Sequence, residues 1–138
     1  MKRVLIVDDQ FDAARLLAAL LKLDGYDSRQ VADWRNLVGD IEEAQPDLVI
    51  LDVHLPDTDG FELLRNIRRH PDRQVSEVPV LLISALDYGY KTIESGASGF
   101  LLKPFTHQSL IDAIRQIEGG GDGNGGFSTA SRRASPLA

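Results

Sequence analysis

The chain is 138 residues long, 43% hydrophobic and 26% charged, the balance of a single soluble globular domain with a core of its own. No apolar run approaches the roughly 20 residues that span a bilayer, and the absence of cysteine excludes disulfides and thiolate metal sites. The net charge of −6 argues against a nucleic-acid surface, and an N-terminus that enters an apolar strand without a secretory signal makes the cytoplasm the expected compartment, with no membrane contact.

Val4 to Val7 are a short apolar run ending on Asp8 and Asp9, a pattern that reads as a strand buried on both faces. From Gln10 to Leu23, apolar residues at Ala14, Leu17, Leu20 and Leu21 have helical spacing; Asp9 or Asp12 lies near the start and Gly25 stops it. Tyr26 to Ala32 reads as a weak strand. Trp34 to Ala44 reads as a helix with Leu37, Val38 and Ile41 on one side, ended by Pro46. The run Leu48 to Leu51 stops at Asp52, and Pro56, Asp57, Asp59 and Gly60 supply turn chemistry after it. Phe61 to Arg69 is expected to be helical, with Phe61, Leu64 and Ile67 inward and Arg65, Arg68 and Arg69 forming a solvated face, until His70, Pro71 and Asp72 break it. Val80 to Ile83 end at Ser84. Asp87 to Ser95 is a poor helix, containing Gly89, two tyrosines and the β-branched Thr92 and Ile93. Gly96 and Gly99 frame a turn into Phe100 to Leu102, which ends at Lys103. Thr106 is suited to cap a last helix, His107 to Glu118, whose inward residues are Leu110, Ala113, Ile114 and Ile117.

Strand and helix thus alternate five times, which predicts an α/β fold with a parallel sheet covered on both faces. In such sheets ligands bind beyond the carboxyl ends of the strands. Four strand ends there would bring together Asp8, Asp9, Asp52, Ser84 and Lys103. Three neighbouring carboxylates repel one another unless neutralised. An all-oxygen set of this kind suits Mg²⁺, with Mn²⁺ as a substitute, and nothing offers the Cys/His set of zinc. Asp52 could serve as a nucleophile toward a phosphoryl donor, while the metal, the Ser84 hydroxyl and the Lys103 ammonium each take one of the three equatorial oxygens.

These residues carry a resemblance. Asp8-Asp9, Asp52 before His54-Leu55-Pro56 and Asp59-Gly60, Ser84-Ala85, Gly96-Ala97 and Lys103-Pro104-Phe105 occur in the order found in response-regulator receiver domains of two-component signalling, of the chemotaxis-receiver type. The match runs from residue 2 to about Glu118. The resemblance implies a flavodoxin-like doubly wound sheet of five parallel strands in the order 2-1-3-4-5, with five helices, the fourth shortened. It implies Asp52 as phosphoacceptor, Asp9, Asp52 and the His54 backbone carbonyl as Mg²⁺ ligands, and Asp8 acting through metal-bound water. Ser84 and Lys103 would bind the phosphoryl group, Ser84 and Phe100 would be the switch residues, and the Lys103–Pro104 peptide bond would be cis. Phe100 has two readings, permanent core or switch. His54 lies beside the site, where its side chain could screen attacking water. His70 would end a helix and His107 begin one. The implied partners are a sensor histidine kinase or histidine phosphotransfer protein and a downstream effector domain or protein. The interval from Ser84 to Gly96 is about one helical turn shorter than the family pattern, so an inherited dimer mode on that face is not expected.

Two other functions compete. A haloacid-dehalogenase-like phosphatase also uses a strand-end Asp, a hydroxyl, a Lys and Mg²⁺, but it carries a second Asp two residues after the nucleophile, where this chain has His54. A dinucleotide-binding module would need a glycine loop after the first strand, and residues 7–13 contain no glycine. The receiver reading places the domain at residues 1–118 and a flexible Gly-rich linker or tail at 119–138, because six of the eight residues from Gly119 to Gly126 are glycine. The Ser131 to Ser135 stretch with Arg132 and Arg133 resembles a basophilic kinase site and reads more simply as solvated tail. Truncation after Glu118 is expected to leave the melting temperature nearly unchanged; a fall of many degrees would show that the tail packs on the domain.

Overall fold

The computed structural model describes residues 2–119. Five strands form one all-parallel sheet in the order β2-β1-β3-β4-β5. In chain order the elements are β1 (Lys2–Val7), α1 (Phe11–Leu23), β2 (Tyr26–Gln30), a 3₁₀ turn (Trp34–Asn36), α2 (Leu37–Ala44), β3 (Leu48–Asp52), α3 (Gly60–Arg68), α4 (Arg73–Ser76), β4 (Val80–Ser84), α5 (Tyr90–Glu94), β5 (Gly99–Leu102) and α6 (His107–Gly119). No helix of the described residues is long and apolar enough to cross a membrane.

The sheet is central because its middle strands are apolar on both faces. Every residue of β3 and β4 is buried, as continuous apolar runs require when helices cover both sides. Alternation divides the core in two. Leu5, Val7, Val49, Leu51, Val80, Leu82 and Phe100 pack on one face with Leu37, Ile41, Leu64 and Ile67 from α2 and α3. Val4, Ile6, Leu48, Ile50, Leu81, Ile83 and Leu101 pack on the other with Leu17 and Leu21 of α1 and Leu110 and Ile114 of α6. A one-residue slip of any central strand would exchange these two sets.

The register fixes the functional edge. Val7 pairs with Leu51, so Asp8 follows at the level of Asp52. Asp52 pairs with Ile83, and Ser84 pairs with Leu102, so Ser84 and Lys103 each lie one step further along. The turn chemistry after β3 has a steric purpose as well. A Cβ on Gly60 would lie 2.6 Å from the Asp52 carbonyl oxygen and 2.9 Å from the Val53 Cα, so α3 begins hard against the β3 end only because this residue has no side chain.

Three sequence expectations need correction. Among the described residues the α-helix count is six and not five, because α4 forms between α3 and β4. Asp72 caps it by accepting from the Gln74 N–H at 2.9 Å, and an Arg73–Glu77 pair spans it. Four residues are too few for a hydrophobic period to register. The helix expected from Trp34 begins as a 3₁₀ turn, with the regular α2 starting at Leu37. Most consequentially, Arg68 does not belong to a solvated face. Its guanidinium donates to the carbonyls of Gly96 (2.9 Å), Ser76 (3.0 Å) and Val78 (2.7 Å), tying the end of α3 to the loops before β4 and β5. Burial lowers its pKa from the ordinary arginine value. Arg65 and Arg69 are exposed as expected. The shortened fourth helix of the sequence reading is α5, with five residues, and Thr106 does cap the last helix, accepting from the Ser109 N–H at 3.0 Å. The expected flexible tail and the Ser131 to Ser135 stretch lie outside the described residues.

Because charged hydrogen bonds to carbonyls are worth about 1.5–3 kcal/mol each, Arg68→Ala is expected to lower the unfolding free energy by ~2–3 kcal/mol in urea titrations. Arg65→Ala should stay within about 0.5 kcal/mol of the parent, as ordinary surface changes do.

Candidate functional site

The site is assembled at the carboxyl edge of β1, β3, β4 and β5. Asp8 and Asp52 are buried, at 3% and 4% exposure, whereas Asp9 is exposed. One oxygen from each of the three lies within 4.8 Å of the others. Lys103, directly after β5, places its Nζ 2.9 Å from Asp52 Oδ2 and 3.7 Å from Asp8 Oδ2. The other Asp52 oxygen, Oδ1, accepts from the His54 backbone N–H at 2.9 Å. Asp8 Oδ1 likewise accepts from the Gln10 N–H at 2.9 Å. The carboxylates are therefore oriented by main chain at the start of each loop, and the ammonium bridges the two buried ones.

Three carboxylates against one ammonium leave two formal negative charges. Burial pushes the Asp8 pKa above the ordinary carboxylate value, with Asp52 and Asp9 adding to the rise, while the Gln10 N–H and Lys103 oppose it. An all-oxygen donor set with a residual charge of two, open to solvent on the Asp9 side, fits a hard divalent cation and does not fit zinc.

Ser84 is the last residue of β4 and fully buried. Its Oγ accepts from the Leu86 N–H at 3.0 Å, and its carbonyl accepts from the Lys103 N–H at 2.8 Å. It thus joins the β4–α5 loop to the start of the β5–α6 loop. The Lys103–Pro104 peptide bond is cis.

Phe100 is 1% exposed and lies in the α2–α3 core cluster. The ring is already inside in this conformation, so an inward turn is not a motion left for it to make. The His54 ring is exposed and hydrogen-bonded to the Tyr88 hydroxyl at 2.8 Å. Tyr88 in turn stands edge-on to Phe61, with centroids 5.2 Å apart, and Lys91 lies over the Phe61 ring at 4.7 Å. This aromatic group links the β3–α3 loop to α5, and nothing in the spacing of these residues announces it. A second link of the same kind is Asp57, whose carboxylate accepts from Trp34 Nε1 at 2.9 Å. His70 and His107 are remote from the site: the former accepts from the Asp72 N–H after α3, and the latter pairs with Asp24.

The family model of the response regulator receiver domain matches residues 4–115. The DNA-binding dual master transcriptional regulator RpaA of Synechocystis sp. is 34% identical over 120 residues, which are 85% of this chain and 49% of that protein. The chain spans about half the length of that curated relative. Among solved structures, the Vibrio cholerae chemotaxis protein CheY4 superposes with a TM-score of 0.77 at 28% identity, covering 85% of this chain and 98% of the other. The signal receiver domain of a histidine kinase from Syntrophus aciditrophicus gives 0.77 at 29%, covering 89% and 94%. A putative response regulator from Chloroflexus aurantiacus gives 0.74 at 32%, covering 83% and 94%.

A carboxylate whose folded pKa is raised contributes stability that is present below its unfolded pKa and is lost as pH rises through the folded value. At neutral pH the charged Asp8 therefore costs stability. Asp8→Asn should raise the melting temperature by a few degrees at pH 7 in a chelator, with the gain vanishing near pH 3; an unchanged or lower value at pH 7 would mean that Lys103 already offsets the crowding.

Proposed function

The chain belongs to the response-regulator receiver family of two-component signalling, and from that membership we propose that it is a phosphoryl-accepting switch with Asp52 as the acceptor. The observation that carries the reading is the convergence of Asp8, Asp9 and Asp52 on one sheet edge with the Lys103 ammonium on Asp52. Asp9, Asp52 and the His54 carbonyl would hold Mg²⁺ (or Mn²⁺), with Asp8 acting through a water. When bound, the ion neutralises the carboxylates and the incoming phosphoryl oxygens.

The donor is a phosphohistidine of a sensor kinase or of a histidine phosphotransfer protein. An Asp52 carboxylate oxygen attacks phosphorus; the new P–O bond forms as the donor's P–N bond breaks, and the electron pair stays on the donor ring, which leaves as neutral imidazole when its other nitrogen carries a proton. The His54 N–H on Oδ1 keeps the carboxylate from rotating. Lys103 follows the charge onto a phosphoryl oxygen, and electrostatic stabilisation of this kind is the main contribution open to a protein in phosphoryl transfer. The His54 ring is hydrogen-bonded to Tyr88, and a ring held beside the site would screen the acyl phosphate from attacking water. The domain is a signalling component, and its output runs through an attached effector or a partner protein. The DNA-binding relative makes a transcriptional effector one form of that output.

Transmission begins at Ser84. Its hydroxyl gains a charge-assisted hydrogen bond to the phosphoryl group by moving toward Asp52, and the bond from the Leu86 N–H pulls the β4–α5 loop with it. Beyond that loop, α5 has only five residues and carries a buried Thr92 hydroxyl without a hydrogen-bond partner. Such a segment is inexpensive to rearrange. Arg68 holds the Gly96 carbonyl at its far end, which focuses the displacement on residues 85–95. Phe100, already packed inside, supports this rearrangement as a wall and not as a moving part.

Acetyl phosphate with Mg²⁺ should add one phosphoryl group, detected by intact-mass spectrometry. Asp52→Asn should abolish the addition and Asp9→Ala should weaken Mg²⁺ binding; unchanged labelling of Asp52→Asn would refute the assignment. Hydrogen exchange with beryllofluoride and Mg²⁺ should change most across residues 85–95.

A further inference from the structure

Four of the 15 Lys and Arg residues of this acidic chain, Arg65, Arg68, Arg69 and Lys91, line one cleft of about 350 Å³ between α3 and α5. Glu94 is the one carboxylate among its lining residues. Phe61, almost fully buried, and Ser95 complete its lining. Among the described residues none of these cations has an ion-pair partner closer than 3.9 Å. Arg68 is committed to three backbone carbonyls. The nearest carboxylate to Arg65 is Glu62, at 3.9 Å, an exposed and loose contact. Lys91 rests on the Phe61 ring. Arg69 makes no ion pair among the described residues.

Crowding positive side chains on two helices is unfavourable unless something anionic relieves it. We propose that this cleft is a docking site for an acidic peptide segment of a partner protein, with Arg65, Arg69 and Lys91 pairing its carboxylates. The proposal goes beyond the phosphoryl-acceptor reading and does not depend on it. Three features favour a peptide. The cations stand on two separate helices along an open groove, which suits several carboxylates in a row. The half-buried Arg68, held by three carbonyls, is not free to complete a single tight phosphate cradle. The net charge of −6 repels an acidic partner from the rest of the surface, so that this groove is where its approach is favoured.

The test uses the full chain and a fluorescein-labelled hexaglutamate peptide, read by anisotropy at low and at physiological salt. Arg65→Glu, Arg69→Glu and Lys91→Glu should each weaken binding by about tenfold, whereas Lys22→Glu on α1, with the same change in net charge, should alter it by less than about twofold. Arg68 is left intact because it holds loops together. In the unaltered protein, amide shifts on titration should concentrate at residues 65–69 and 91–95, a readout that survives if a variant folds poorly. The proposal fails if Lys22→Glu costs as much as the cleft variants, or if shifts centre elsewhere. It fails equally if no binding is seen to about 1 mM. Displacement of the peptide by inorganic phosphate at lower concentration than by free glutamate would reassign the cleft to a phosphate ligand. Concentration-dependent shifts at the same residues without peptide would reassign it to a second copy of the chain.

Discussion

The contact on which this molecule depends is the 2.9 Å approach of the Lys103 ammonium to Asp52 at the end of the sheet. It couples a carboxylate from the middle strand to a cation from an edge strand, with β4 between them. Both buried carboxylates would be costly without it, since a charge taken out of water must be paired. Yet one ammonium cannot balance three carboxylates. The remaining charge is what makes the donor set suit a divalent cation, the premise of the proposed phosphoryl chemistry. Stability and function therefore pull against each other at one point, as is common where binding sites are built.

The rest of the fold holds that point in register. Apolar layers on both faces of the sheet prevent any strand from slipping, and the absent side chain of Gly60 lets α3 start directly beneath the Asp52 carbonyl. The rigid side of the molecule is β1, β3 and their helices. The yielding side is α5, short, with exposed Tyr90 and Ile93 and an unpaired buried hydroxyl. Arg68 marks the border between the two, because it fastens the end of α5's following turn to α3. The proposed signal from Ser84 would thus have a defined stretch of chain to act on.

Much of this was legible before any coordinates. Asp8, Asp9, Asp52, Ser84 and Lys103 announce themselves because each ends an apolar run, and parallel strands necessarily bring such ends to one edge. The same rule gave the order of elements and the stunting of α5, where Gly89 and β-branched residues interrupt helical spacing. What escaped were features set by the reach of long side chains and by contacts across loops. Helical periodicity puts Arg68 outward by its Cα, but its guanidinium folds back to three carbonyls. The His54–Tyr88 and Trp34–Asp57 links join loops 34 and 23 residues apart, and no local pattern encodes them. The short α4 is made by a cap and an ion pair, which leave no hydrophobic period. The sequence leaves two roles open for Phe100; its burial shows which side of the sheet it occupies, since β5 alternation sends it to the α2–α3 face.

The proposed switch requires that a carboxylate oxygen of Asp52 receive the phosphoryl group. Borohydride reduces an aspartyl phosphate to homoserine, leaving a permanent mark at the modified position. After phosphorylation, borohydride treatment and peptide sequencing by tandem mass spectrometry, homoserine is expected at position 52 and nowhere else. Homoserine at position 8 or 9, or a stably phosphorylated protein that yields none, would contradict it.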